Sequence, residues 1–423
     1  MKFLKQRTKI HSFSNFCYFA GMIFVFCANC HPKMHTHSEV VTAKSAESIL
    51  KNTSIVVGAA RFSEYLPLLK GKKVALVVNQ TSMIQNNYLV DTLLKQGINV
   101  GVIFAPEHGF RGKADAGEKV NNTIDAQTGL PIISIYGKKN KPDSSDLKNI
   151  DVLLFDIQDV GVRFYTYIST LQYIMEAGAE QKIPVIVLDR PNPNGHYVDG
   201  AILDKSLKSF VGMQAIPTVY GMTIGEYAKM LNEEGWLNQQ LKCKLTVIPC
   251  LNYNHNIVYD LPVKPSPNLP NLRSIYLYPS ICYLEGTDVS LGRGTNKPFQ
   301  MYGAPNFPKT DFAFTPAPNE GAKEPPHKGK ICNGYDLSNL NLDKLHDERQ
   351  INLSYLINAY KNFPDKKAFF LKGNFFDKLS GTTELRTQLI EGKSADAIRA
   401  TWQDGLKKFK IIRKKYLLYP DFE

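Results

Sequence analysis

Short runs rich in Val, Ile and Leu alternate with helical patterns between about residue 70 and residue 250, and this alternation constrains the fold more than any other feature. The runs are KVALVVN, INVGVIFAP, PIISIYG, DVLLFDIQ, IPVIVLDR and KLTVIP. Strands that alternate with helices form a parallel sheet with helices packed on it, and nearly continuous aliphatic runs are typical of strands covered on both faces. The sequence therefore predicts an α/β fold with helices on both faces of a parallel sheet.

Two of the intervening helices carry recognisable start and stop signals. An apolar stripe over residues 89–94 ends before Gly97, which suits the position that follows a helix C-terminus. Thr223 and Glu226 have the spacing of a capping box in front of a second amphipathic pattern. We expect one helix to end near Gly97 and another to begin at Thr223.

The length of the chain and a change in its residue composition after about residue 250 predict two domains. Single cores stop growing at roughly 250 to 300 residues, and this chain has 423. A Pro- and Asn-rich stretch, DLPVKPSPNLPNL, follows the last strand-like run and should form an irregular connection. We predict an N-terminal domain over residues 55–250 and a C-terminal α/β or α+β domain over residues 251–423.

The first thirty residues have the pattern of an export leader. MKFLKQRTK is basic, and FCYFAGMIFVFCA is apolar and uncharged but shorter than the roughly 20 residues that span a bilayer. We predict a leader over residues 1–30, a linker over residues 31–54, and a periplasmic or membrane-anchored protein. A retained membrane anchor is the alternative, and Cys30 is a candidate for lipidation, as in a bacterial lipoprotein.

The charge distribution bears on nucleic-acid partners, and the cysteine spacing bears on metal and redox sites. The net charge is +12, and part of it lies in KKFKIIRKKY, where Trp402, Leu406, Phe409 and Ile412 recur at helical spacing. The lysines there are expected to form the solvated face of a packed helix, and no nucleic-acid partner is predicted. No CxxC pair occurs among the four cysteines beyond the leader, which gives no support to a zinc or thioredoxin-like site. The oligomeric state is not predicted.

Polar side chains follow three of the predicted strands. The strand-end segments are PEHGFRG, DIQDVGVRFY and DRPNPNGH, and ligands of open α/β sheets bind beyond the carboxyl ends of the strands. Turn and helix-cap chemistry is the competing explanation for such residues. The candidates for a polar cleft are Glu107, His108, Arg111, Asp156, Gln158, Asp159, Arg163, Tyr165, Asp189, Arg190 and Asn192.

Several chemistries lack their sequence signatures. The first strand is not followed by G-x-G-x-x-G, and neither a Walker sequence nor G-x-S-x-G occurs, so a nucleotide cofactor and a conventional serine hydrolase are not predicted. A metal site formed by His108 with Asp156, Asp159 or Asp189 remains an alternative, although no H-E-x-x-H spacing accompanies it. We predict no cofactor.

Carboxylate chemistry is what the candidates suit best. Hydrolysis of a glycosidic bond needs a proton donor and usually a second group that activates water or attacks the sugar carbon. Glu107 is the candidate for donor or base. The second group is left open among His108, Asp156, Asp159, Tyr165 and Glu285. Arginines at 111, 163, 190 and 293 could bind a substrate carboxylate or form internal salt bridges.

Six blocks of the chain together resemble one family. They are PEHGFRGKADAGEKV, FDIQDVGVRFYTYISTL, VLDRPNPNG, FVGMQAIPTVYGMTIGEYA, PSPNLPNL and YPSICYLEGTDVSLGRGTNKPF. They are similar to the exo-β-N-acetylmuramidases of the NamZ type, from about residue 55 to KKYLLY. The resemblance implies a Rossmann-like N-terminal domain, a smaller C-terminal domain, a cleft between them, and Glu107 as the catalytic glutamate.

The resemblance also implies a substrate class. Family members would release N-acetylmuramic acid from non-reducing ends of peptidoglycan fragments during cell-wall turnover and recycling. The lactyl carboxylate of that sugar should be met by a cation, and Arg163 and Arg190 are the residues we expect to bind it. The competing functions are a non-catalytic protein that binds cell-wall fragments and a metal-dependent hydrolase that uses His108 and the aspartates.

Overall fold

The main sheet lies in the N-terminal half of the protein. The structure, a computed structural model, describes residues 54–107, 109–110 and 122–423. Within them a seven-stranded sheet has the order β5-β6-β4-β1-β7-β8-β9, parallel except for β5 at one edge. Its strands are β1 (Lys73–Val78), β4 (Asn99–Ala105), β5 (Thr123–Ile124), β6 (Pro131–Ser134), β7 (Val152–Asp156), β8 (Val185–Leu188) and β9 (Leu245–Ile248). A short hairpin joins β2 (Met83–Ile84) to β3 (Asn87–Tyr88).

Both faces of this sheet are buried, as the aliphatic runs predict. In β7, Leu153 and Phe155 pack into one hydrophobic cluster, whereas Val152 and Leu154 pack into another on the opposite face. Successive side chains of a strand point to opposite faces, so an alternating pattern would leave one face polar. The α/β prediction with helices on both faces is confirmed.

Helices connect and cover the strands at the predicted positions. They are α1 (Phe62–Leu69), α2 (Leu89–Lys95), α3 (Tyr167–Glu180) and α4 (Ile224–Glu233). Helix α2 stops where expected, because Gly97 has a φ of +72° and terminates the turn. Helix α4 begins with both hydrogen bonds of the Thr223–Glu226 capping box.

The C-terminal part is smaller and mostly helical. It contains α5 (Leu272–Ile281), α6 (Leu342–Asp347), α7 (Ser354–Asn362), α8 (Phe375–Ser380), α9 (Glu384–Ile390), α10 (Ala395–Ala400) and α11 (Gln403–Lys414). Its antiparallel sheet, in the order β10-β12-β11, consists of β10 (Met301–Ala304), β11 (Ala313–Phe314) and β12 (Cys332–Asp336). Leu406 and Phe409 of α11 are buried while Lys407 and Lys408 are exposed, as expected of a packed basic helix.

The ends of the predicted domains stay predictions. The described residues pack into one compact unit, and the division between residues 250 and 251 falls inside it. The predicted leader, Cys30 and almost all of the predicted linker lie outside the described residues. In the part that is described, no helix is both long and apolar enough to cross a membrane.

Candidate active site

Four of the predicted site residues line one pocket with a volume of about 260 Å³. They are Glu107, Tyr165, Glu285 and Arg293. The first two belong to the predicted N-terminal domain and the other two to the predicted C-terminal domain, so the pocket is built from both. The remaining lining residues are Tyr136, Phe164, Thr166, Tyr167, Phe210, Val211, Ser266, Asn268, Leu269, Tyr278, Phe299 and Phe375.

The Glu107 carboxylate is held at the carboxyl edge of the sheet. It lies two residues beyond β4, and the following turn requires Gly109, whose φ is +74°. The Tyr136 hydroxyl donates to Oε1 at 2.8 Å, and the Thr166 hydroxyl donates to Oε2 at 3.1 Å. Both donors follow other strands of the same sheet, so strand order fixes the orientation of a carboxylate that is only half-buried.

Glu285 reaches the pocket from the C-terminal part. It lies in the single turn Cys282–Gly286 that follows α5. Arg293 donates from Nε to Glu285 Oε1 at 2.7 Å, and its guanidinium carbon lies 4.9 Å from the centre of the Phe299 ring. The flanking Gly292 and Gly294 have φ values of +74° and +78°, so the Gly-rich segment forms the tight loop that presents Arg293.

Tyr165 contributes an aromatic wall. Its ring meets Tyr167 edge to face at 4.9 Å, and its hydroxyl donates to the Pro265 carbonyl at 2.7 Å. Burial raises the pKa of Tyr165 well above its ordinary value, so the hydroxyl stays protonated and keeps this bond. Its geometry suits shaping of the pocket better than proton transfer.

Asp156 and Arg190 form a buried ion pair instead of lining the pocket. Arg190 donates from Nε to Asp156 Oδ1 at 2.6 Å and from Nη2 to Oδ2 at 2.8 Å, with a further bond to the Met83 carbonyl. Neither side chain is more than 3% exposed. The two strand ends β7 and β8 are thus cross-linked by a bidentate pair.

Asp189 and Asp159 bind backbone and hydroxyl groups in the interior. Asp189 accepts bonds from Thr223 Oγ1 at 2.7 Å and from the Gly225 backbone N–H at 2.8 Å, which anchors the start of α4. Asp159 accepts from the Tyr220 hydroxyl and from the Gly161 N–H. Burial raises the pKa of each aspartate to about 6.

Arg163, Gln158 and Asn192 also make internal bonds. Arg163 is fully buried and donates to three carbonyl oxygens, those of Ala201, Ile216 and Leu379. Burial without a carboxylate partner lowers its pKa to about 10. The side chains of Gln158 and Asn192 donate to the carbonyls of Asp159, Pro191 and Met222. The geometry therefore gives no support to the expected role of Arg163 and Arg190 in binding a substrate carboxylate.

Two candidates fall outside the described residues, namely His108 and Arg111. The metal-dependent alternative rests on His108. Among the described residues, His, Cys, Asp and Glu side chains do not assemble into a group of three or more that could hold a metal ion.

Sequence reasoning missed the residues that orient Glu107 and the aromatic lining. Tyr136 lies at the end of the PIISIYG run, two residues beyond β6, so the strand-end rule would have found it had it been applied to every strand. Phe210, Asn268 and Phe375 carry no local signal, because they reach the pocket from segments distant in the chain.

Comparison with known proteins assigns the chain to a family. Family models described as the N-terminal and C-terminal parts of exo-beta-N-acetylmuramidase NamZ match residues 74–273 and 276–419. The chain is 39% identical over 382 residues to the peptidoglycan beta-N-acetylmuramidase NamZ of Bacillus subtilis (strain 168), covering 84% of this chain and 89% of that protein.

Solved structures agree with this assignment. A DUF1343 family protein from Bacteroides fragilis NCTC 9343 is 50% identical, with a TM-score of 0.81 over 87% of this chain and 100% of that chain. A second DUF1343 protein of the same strain is 30% identical, with a TM-score of 0.73 over 86% and 99% of the two chains. This chain belongs to the exo-β-N-acetylmuramidase NamZ family.

Proposed function

We propose that this glycoside hydrolase releases N-acetylmuramic acid from non-reducing ends of peptidoglycan fragments, with Glu107 as acid or base. The observation that carries the proposal is the pocket itself, in which the carboxylates of Glu107 and Glu285 both face a space of about 260 Å³. Pockets for drug-sized ligands measure roughly 300 to 1,000 Å³. A slightly smaller pocket suits one sugar unit, as exo-action at a chain end requires.

The two carboxylates are supported differently, which suits two roles. Glu107 accepts a hydroxyl hydrogen bond on each oxygen, from Tyr136 and from Thr166, and these bonds orient it. Glu285 is paired with Arg293, which neutralises its charge and fixes its position. Of the candidates for the second catalytic group, we propose Glu285 as the group that activates water or attacks the sugar carbon.

The aromatic lining supports a carbohydrate ligand. Phe210, Tyr278, Phe299 and Phe375 contribute ring surface to the pocket, beside polar groups from Ser266 and Asn268. A pyranose ring has apolar C–H faces and a polar hydroxyl rim, so this mixture matches its surface. The rings also limit water around the reacting bond, which strengthens electrostatic effects there.

The central experiment measures muramic acid released from the disaccharide MurNAc-GlcNAc by residues 31–423. We expect release by the parent and a loss of about 10²- to 10⁴-fold in Glu107→Gln, the usual range for removal of an acid or base. Glu324→Gln is a matched control, because Glu324 is 80% exposed and lies outside the pocket. If the parent and Glu107→Gln bind the sugar and neither releases product, a non-catalytic binding protein becomes the better description.

We further propose that the protein acts in the cell envelope during peptidoglycan turnover, held there by a lipid on Cys30. The basic and apolar leader supports export. In a bacterial host, Cys30→Ser should move the protein from the membrane fraction to the soluble fraction. Retention of the variant in the membrane fraction would contradict lipid attachment at this residue.

A further inference from the structure

Arg293 brings a positive charge to the pocket. Of the described residues that line it, three are charged, namely Glu107, Glu285 and Arg293. Among the described residues Glu285 is the acidic partner of this cation, and an anionic substituent on the sugar would give it a second one.

The guanidinium has donors left over after its internal contacts. Its Nε bonds Glu285 Oε1 at 2.7 Å, and its plane is supported by the Phe299 ring. Neither Nη1 nor Nη2 hydrogen-bonds an acceptor among the described residues, and neither is sealed from solvent. The side chain is 20% exposed. The edge formed by Nη1 and Nη2 is therefore fixed in direction and open to a ligand.

We propose that this edge of Arg293 binds the lactyl carboxylate of N-acetylmuramic acid and makes the enzyme selective for that sugar. The inference rests on the proposed function, which supplies the substrate class. A planar guanidinium donates two parallel N–H···O hydrogen bonds to a carboxylate. Because Glu285 is bound through Nε, the substrate and the protein carboxylate occupy different edges of one guanidinium.

Four other cations are placed less well for this role. Arg163 and Arg190 are buried, and Arg163 Nη1 and Nη2 and Arg190 Nε and Nη2 donate to protein oxygens. Lys264 lines a neighbouring cavity of about 510 Å³ that shares Asn268 with the pocket but neither glutamate. Lys297 bonds the Ser338 hydroxyl at 2.7 Å.

The test compares three ligands by calorimetric titration, namely N-acetylmuramic acid, its lactyl methyl ester and N-acetylglucosamine. The ester keeps the shape of the acid but removes its charge. Hydrogen bonds to charged groups correspond to about 10- to 100-fold in affinity. The parent should bind the acid that much more tightly than the ester, Arg293→Gln should bind both equally, and Arg293→Lys should retain part of the preference.

Two outcomes overturn the proposal. One is a parent that binds acid and ester equally, and the other is an Arg293→Gln variant, shown by its melting curve to be folded, that keeps the parental preference. Glu285→Gln separates catalysis from selectivity. It should lose hydrolysis and still bind N-acetylmuramic acid more tightly than its methyl ester. Failure of the proposed function is separable, because it would appear as a parent that releases no muramic acid from the disaccharide.

Discussion

Glu107 and Asp156 both lie at the carboxyl ends of strands of the same sheet, yet their surroundings differ. Glu107 is half-buried, faces a pocket and accepts bonds from two neutral hydroxyls. Asp156 is fully buried, and both of its oxygens are bound by Arg190. A carboxylate bound on both oxygens by one internal cation has no free atom to offer a substrate. Position at a strand end therefore identifies candidate carboxylates, and the partners that packing brings to each one distinguish a carboxylate that lines a pocket from one that forms a buried ion pair.

Removing the charge of Glu285, a carboxylate that lines the pocket like Glu107, should have the largest effect on activity. We expect Glu285→Gln to lower kcat/KM for the disaccharide by about 10²- to 10⁴-fold. The free energy of unfolding should change by less than about 1 kcal/mol, because the pair with Arg293 is partly exposed, at 23% and 20%. Steady-state kinetics and urea unfolding measure the two effects. A variant with near-parental activity would remove Glu285 from the proposed mechanism.

Arg190→Met tests the buried ion pair between Asp156 and Arg190. It leaves Asp156 as an uncompensated charge in the interior, so we expect a loss of about 3 to 5 kcal/mol in the free energy of unfolding. Urea unfolding of the parent and the variant gives this difference directly. If the variant unfolds like the parent but no longer binds the sugar, Arg190 has a role in substrate binding instead.

Asp159 is a second buried carboxylate, and its raised pKa makes the stability of the protein depend on pH. Burial raises its pKa to about 6 in the folded protein, whereas the unfolded value is about 3.9. Between these values the folded state holds a proton that the unfolded state has released, so stability falls as pH rises from about 4 to about 6.

Asp159→Asn removes this titration. The free energy of unfolding of the parent, relative to Asp159→Asn, should therefore fall by about 3 kcal/mol between about pH 4 and about pH 7. Unfolding curves at several pH values measure the difference. Parallel pH profiles for the two proteins would contradict a buried, proton-holding Asp159.

Tyr136→Phe has the smallest expected effect. It removes the 2.8 Å bond to Glu107 Oε1 and keeps the ring that packs against Phe210. We expect kcat to fall about 10-fold, since one bond to a charged group is lost. Tyr173→Phe is the matched control, because Tyr173 stacks on Phe210 but does not line the pocket. Equal losses in both variants would indicate a general disturbance of the aromatic wall.

The candidate site was predictable where a local pattern carried the information. Aliphatic runs and the residues that follow them placed Glu107 and Tyr165 at the carboxyl edge of the sheet. The same reasoning also selected Asp156, Asp159 and Asp189, because caps, ion pairs and active sites use the same residue types at strand ends. Sequence patterns do not report which polar atoms are already bonded.

The sequence by itself determined the α/β fold, the two-faced burial of its strands, the ends of α2 and α4, and the family. Each of these depends on local periodicity, on cap residues or on long matching blocks. Only the tertiary structure decided that Arg163 and Arg190 bind protein oxygens while Arg293 faces the pocket. The physical reason is that hydrogen-bond partners separated by many residues are set by packing, and packing decides which charged groups remain free to meet a ligand.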